Sequence, residues 1–231
     1  MESAFVPVLV VSPHFDDAVL SCWNVLDRYR EEACVLTVFG GVPSAGRLWP
    51  WDALPPGAAD SATRVRERHE ENREALAATR SAHIELDLLE RQYPGGGTVH
   101  PSDLRALLLG ATTIYAPADA GIRTNHQDHR AVRDIVLQLR PDASLYADQP
   151  YCKFPTDLEF LLTPPGYDKE VVVLTSEQAE RKARAISCYV GEVARLDGLR
   201  ERLKRPNEEF ILEVVWHPHI PAAGSPAAKR C

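Results

Sequence analysis

Short apolar runs alternate with longer amphipathic stretches along this chain, and the alternation predicts its architecture. Val8, Leu9, Val10 and Val11 form the first run, closed by Ser12-Pro13. A β-branched run of that length reads as a strand buried on both faces. Ala18, Val19, Cys22, Val25, Leu26 and Tyr29 then recur at helical spacing. Further strands are expected over 34–39, 83–89, 113–116, 144–147, 171–174 and 209–216. Helices are expected near 61–80, 102–109 and 128–139, and from 176 to 189 and on to about 204. Strand and helix alternate with no internal repeat or linker. The prediction is one Rossmann-like α/β domain over 1–231, with a mostly parallel sheet and helices on both faces.

Two stretches carry no period. Residues 40–59 hold four prolines, four glycines and two tryptophans, too long for an ordinary connection. Trp49 and Trp51 favour an ordered substrate loop, since a solvated linker rarely carries two indoles. An equal alternative is that they cover an apolar edge. Residues 218–231 are small and polar and read as a loose tail. Residues 149–167, rich in proline and aromatics, are a candidate pocket wall.

Composition narrows the class. With 231 residues, 45% hydrophobic and 26% charged, the chain is ordinary for a soluble globular protein. A net charge of -7 without a Lys/Arg cluster argues against nucleic acid, and no apolar run reaches membrane-spanning length. The N-terminus has no basic region and does not read as a signal peptide. Five cysteines without a CxxC pair indicate reduced thiols and a cytoplasmic protein. Oligomeric state is not legible in the pattern.

Chemistry concentrates at two strand-to-helix junctions. His14, Asp16 and Asp17 follow the first strand, and His126, Asp128 and His129 follow the 113–116 run. Open α/β sheets place ligand sites on such loops, and imidazole with carboxylate suits a zinc-type ion. Taken alone, the first cluster reads slightly better as aspartates capping a helix, and the second cluster shifts the balance. His69, His83 and His100 read as surface or structural, and His217 and His219 as a pair near the tail rather than site residues.

SPHFDDAVLSC and HQDHRAV resemble the two signature motifs of the PIG-L/LmbE-like zinc-dependent N-deacetylases, (S/A)-H-P-D-D and H-P-D-H-R-A. An intervening Arg68-x-x-Glu71 and a late Lys182, Ala185, Tyr189 spacing are similar too. The resemblance implies a metal held by His14, Asp17 and His129, either zinc or, in vivo, Fe2+ or another divalent ion. It assigns Asp16 as general base. His126 is then placed to polarise the amide oxygen or protonate the leaving amine, and Asp128 to orient an imidazole. Arg68, Trp49 and Trp51 are the expected substrate residues. Metal-activated water would remove an N-acyl group, taken as acetyl, from an amino sugar or glycosylated small molecule. Phe15 and Gln127 stand where the family has prolines. Ser21-Cys22-Trp23 replaces Gly-Cys-Gly, placing an indole near the site, and Thr124 replaces a tyrosine. The rival reading is a Rossmann-like binding protein with a structural metal and no hydrolase activity. No GxGxxG follows the first strand, which disfavours a dinucleotide. A two-metal phosphoesterase would need more ligands.

Overall fold

In the computed structural model, which describes residues 6–119, 126–152, 157, 161–196 and 198–219, the first apolar run lies mid-sheet as β1 (Val6–Ser12). It pairs in parallel with β2 (Ala33–Thr37) on one side and β4 (Ala111–Pro117) on the other. The helices α1 (Asp17–Ser21) and α2 (Trp23–Tyr29) make the crossover to β2. Strand β3 (Ala82–Glu85) extends the sheet beyond β2, and β5 (Ser144–Tyr146) extends it beyond β4, both parallel. Two antiparallel strands, β6 (Tyr167–Val173) and β7 (Leu212–Pro218), complete the order β3-β2-β1-β4-β5-β7-β6. The fold is the mostly parallel α/β sheet that the alternation predicts.

Alternate side chains of β1 serve different cores. Val8 and Val10 join Phe15, Trp23, Val35 and Leu76 on one face. Leu9 and Val11 join Leu36, Ile114, Val132, Val136 and Trp216 on the other. Burial on both faces is why the run is continuously apolar rather than alternating. The long helix α3 (Ser61–Ala77) begins as expected, with the Asp60 carboxylate accepting from Thr63 N at 2.8 Å. Helix α4 (Pro101–Leu109) precedes β4, and α5 (Gln127–Leu139) follows it.

Several expectations shift, each for a tertiary reason. The helix after the first motif breaks at Cys22, because a buried carboxylate caps a second start. Glu213 of β7 accepts from Trp23 N and Asn24 N, both at 2.9 Å, and from Lys182 Nζ at 2.6 Å. Lys182, on α6 (Ser176–Ile186), is therefore structural, and Trp23 is fully buried in the core rather than reshaping a pocket. The third strand ends at Glu85, not residue 89, because Gly40 N and Gly41 N pull Leu86 O and Leu88 O into a loop pairing. Strand β6 starts earlier than its hydrophobicity suggests, since its exposed residues pair in full register with β7. The helix expected to reach residue 204 is split into α7 (Val190–Arg195), α8 (Leu199–Arg202) and α9 (Pro206–Glu209), with Gly198 at φ 73° between the first two.

Cys22 and Cys34 are buried free thiols, Cys188 is a half-buried one, and Cys152 is buried. Cys231, the tail from 220 onward and Thr124 lie outside the described residues. Among the described residues no helix is long and apolar enough to cross a membrane.

Candidate metal centre and its pocket

From β1 the chain runs outward to β2 and β3, then returns across β1 to β4. The strand order therefore reverses between β1 and β4, and both His/Asp clusters leave the C-terminal ends of those two strands. This is the crevice where open sheets bind ligands.

The first cluster is shaped by local hydrogen bonds. Ser12 Oγ donates to His14 O at 2.6 Å and accepts from Ala18 N at 3.0 Å, which folds the loop tightly over the strand end. Asp16 occupies the N-cap position of α1, yet its side chain makes no capping bond. Asp17 Oδ2 accepts from His14 N at 2.8 Å. The simple capping alternative therefore fails for both aspartates.

The second cluster opens α5. His126 sits at its N-cap position and His129 one turn on, fully buried. Asp17 Oδ2 lies 3.3 Å from His129 Nε2 and 3.4 Å from His14 Nδ1. Two ligands each about 2.1 Å from a tetrahedral ion stand about 3.4 Å apart. Both spacings from Asp17 are those of neighbouring ligands on one ion. His129 Nε2 is also buried without a hydrogen-bond partner. Ring nitrogens of His14, His126 and His129 lie within 4.8 Å of one another, so His126 borders the same point. The two imidazoles facing Asp17 are steered from behind. His129 Nδ1 meets Asp148 Oδ1 at 2.6 Å, and His14 Nε2 lies 3.4 Å from Asp128 Oδ2. Asp128 is in turn held by Arg91 Nε at 3.0 Å.

Charge is distributed unevenly over this cluster. Burial alone would lower the pKa of His14, but hydrogen bonds to Asp128 and Asp17 outweigh it and raise the value well above normal. His129 is raised likewise, by the charge of Asp17 and the bond to Asp148, against its burial. Burial pushes Asp17 up, but the charge of His129 and the hydrogen bond from His14 win and hold it well below the carboxylate range. Asp16 goes the other way, raised by burial and by the charges of Glu192 and Asp17. His126 is lowered to about 4 by burial and by the charges of His129 and His14, which leaves it neutral at neutral pH. Burial and neighbouring charge thus push the two adjacent aspartates in opposite directions.

A cavity of about 470 Å³ opens over the cluster, with His14, Asp16, His126 and Asp128 at its base. Trp51 and Tyr151 form part of its wall, as do Arg68 and Glu192. The 40–59 loop is ordered, and a buried aspartate pins it. Asp52 accepts from Arg68 Nη2 at 2.8 Å and from the Tyr93 hydroxyl at 2.8 Å. Arg195 donates to Trp51 O at 2.6 Å. The structure thus brings Trp51 to the pocket. Trp49 does not line it and instead packs under the Arg47 guanidinium, at 3.6 Å, and against Tyr93. Arg68 lines the cavity, although Asp52 and Glu90 already take its terminal nitrogens. His217 and His219 pair with Glu170 and Asp168 on the sheet edge and do not line the cavity.

Asp148 and Glu192 were not foreseen, whereas Tyr151 falls in the 149–167 stretch expected as a pocket wall and Asp52 in the 40–59 loop, though neither was singled out. For Asp148 a signal existed: it follows β5 by two residues, at the same sheet end as both motifs. Tyr151 and Glu192 arrive from irregular or short elements whose register only packing sets.

An α/β protein with a buried His/Asp cluster at the switch point of its sheet is the class that fold and site define. The chain belongs to the PIG-L (GlcNAc-PI de-N-acetylase) family, whose model matches residues 9–140. Among solved structures, a deacetylase in the biosynthesis pathway of teicoplanin, in complex with bog, is 25% identical. That alignment covers 91% of this chain and 96% of the other, with a TM-score of 0.73. The N,N'-diacetylchitobiose deacetylase from Pyrococcus horikoshii is 16% identical over 86% of this chain and 74% of its own, with a TM-score of 0.58. A 4-carboxy-2-hydroxymuconate hydratase from Pseudomonas putida is 16% identical over 96% and 100%, with a TM-score of 0.56. At 16% identity the last two show a shared fold alone. No curated protein matches the chain.

Proposed function

We propose that this chain is a metal-dependent N-deacetylase acting on an N-acylated amino sugar or glycosylated small molecule. The observation that carries the reading is the convergence of His14, Asp17 and His129, with the orphaned His129 Nε2 aimed at the Asp17 carboxylate. Family membership and the likeness to the deacetylase of the teicoplanin biosynthesis pathway support it. In this reading His14, Asp17 and His129 hold the ion, zinc or alternatively ferrous iron. When bound, such an ion polarises an acyl oxygen and acidifies water.

Everything else falls to the chain's own side chains. Asp16, raised by its buried acidic surroundings, takes the proton of the attacking water. His126, neutral and beside the ligand cluster, serves the acyl oxygen or relays to the leaving nitrogen the proton that Asp16 took. Asp128 and Asp148 fix the ring orientations of His14 and His129. Arg68 and Trp51 contact the substrate from the wall, and Trp49 supports the loop behind. The products are a carboxylate and a free amine. The single-domain organisation and a cytoplasmic location belong to the same proposal.

The test is metal-dependent acetate release from a panel of N-acetyl amino sugars. Activity should vanish on chelation and return with zinc or ferrous ion. Undiminished hydrolysis by thoroughly stripped protein would overturn the mechanism. Metal binding without hydrolysis of any N-acyl sugar would favour the binding-protein reading.

A further inference from the structure

We infer that Asn72 and Tyr189 are positioning residues for Asp16, holding the Phe15–Asp16 peptide so that the Asp16 carboxylate faces the cavity. The inference rests on the deacetylase reading, in which Asp16 is the base, and adds to it two residues outside both signature motifs.

Asp16 depends on support from its backbone. A proline at position 15 would fix φ there at about −65°, but this chain has phenylalanine. The Asp16 side chain makes no capping bond to α1, so the direction of its carboxylate follows from where its peptide lies. Ser12 Oγ braces His14 O and Ala18 N, on either side of that peptide. Between those braces the Phe15 carbonyl is met by the Tyr189 hydroxyl at 3.2 Å.

Phe15 stands inside a closed circuit of contacts drawn from distant parts of the chain. Its ring meets His69 of α3 edge-on, with centroids 4.9 Å apart at 66°. His69 Nδ1 lies 2.6 Å from Glu85 Oε2, and Glu85 Oε1 accepts from Asn72 Nδ2 at 3.0 Å. That bond turns the Asn72 carbonyl oxygen towards Tyr189, whose hydroxyl lies 3.0 Å from Asn72 Oδ1. The same hydroxyl closes the circuit at Phe15 O. Its one proton is shared between two carbonyl oxygens, a three-centre bond. Phe15, Asn72 and Tyr189 are all buried, and a buried polar group left without its partner is costly. The circuit therefore resists displacement of the Phe15 carbonyl, and with it of Asp16. Misplacing a reacting group by about 1 Å can cost about 10²-fold in rate.

Tyr189→Phe keeps the packed ring and deletes the bond to Phe15 O, while Asn72→Ala leaves the hydroxyl without its anchor. With the metal-loaded enzyme and an N-acetyl amino sugar, each should lower kcat by about 10- to 10²-fold. KM should stay within about threefold, and metal content should be unchanged. In an Asp16→Asn background the same substitutions should cost less than about twofold, because residues that act as a unit are not additive. A group that merely supported the fold, or touched the substrate itself, would keep its full effect there. Backbone amides across 14–20 should also exchange faster in both variants, by about three- to tenfold, the worth of one hydrogen bond. Wild-type kcat in the variants, or a loss undiminished in the Asp16→Asn background, would overturn the inference. If the wild-type enzyme releases no acetate from any N-acyl sugar, the deacetylase reading fails instead, and the exchange rates alone judge the anchor. Faster exchange then upholds it, and wild-type exchange refutes it. Should one variant not fold, the other carries both comparisons.

Discussion

His129 is gripped on one side and open on the other: its Nδ1 lies 2.6 Å from Asp148 Oδ1, while its Nε2 faces Asp17 at 3.3 Å without a hydrogen bond. A buried imidazole held in this way presents a fixed, basic nitrogen to an ion. Carboxylates that orient metal-ligating histidines are typically worth about 10–100-fold in metal affinity. Asp148→Asn should weaken zinc binding by about that factor, measured by competition with a chromogenic chelator. Unchanged affinity would mean that Asp148 serves packing alone.

The neighbouring aspartates should separate under substitution. Asp17→Ala should lower metal occupancy and activity together. Asp16→Asn should retain the metal while kcat falls by about 10²–10⁴-fold, the worth of a positioned general base. Metal content and kcat measured side by side decide this, and an active Asp16→Asn enzyme would remove Asp16 from the chemistry.

The tryptophans should differ as well. Trp51 faces the cavity, so Trp51→Ala should raise KM by about 2- to 10-fold, the ~1 kcal/mol of an aromatic contact. Trp49 packs against Tyr93 and Arg47 instead. Its replacement should lower thermal stability with a smaller effect on KM. Equal KM effects would place both indoles at the substrate.

One pH effect on stability lies outside the metal cluster. His69 on α3 contacts Glu85 Oε2 at 2.6 Å, and that hydrogen bond raises the histidine's pKa above its normal value, against partial burial. A raised folded-state pKa stabilises fully below the unfolded value of about 6.5, and the contribution is lost as pH rises through the folded value. His69→Ala should therefore cost more stability at pH 5.5 than at pH 9, measured by urea titration. Glu85, lowered in the folded state chiefly by its bonds from His69 and Asn72 despite its burial, stays charged at the lower pH. A pH-independent cost would show that the pair is not ionic.

Much of this molecule was decided by local pattern. The apolar run Val8–Val11 specified a doubly buried central strand, and helical periodicity placed α3 and α5 within a few residues. The convergence of the two His/Asp clusters was legible because each follows a strand of the same parallel sheet, and parallel strands end on one side. Period alone could not reveal what distant segments impose. The break at Cys22 exists because Glu213 reaches in from the other end of the chain. The loop containing Trp51 is ordered because Asp52 meets Arg68 and Tyr93 in the interior. Asp148 and Tyr151 lie beside His129 only once β5 has paired with β4. Buried polar groups must find partners. Which partners they find depends on contacts between residues far apart in the chain, and tertiary structure alone supplies those.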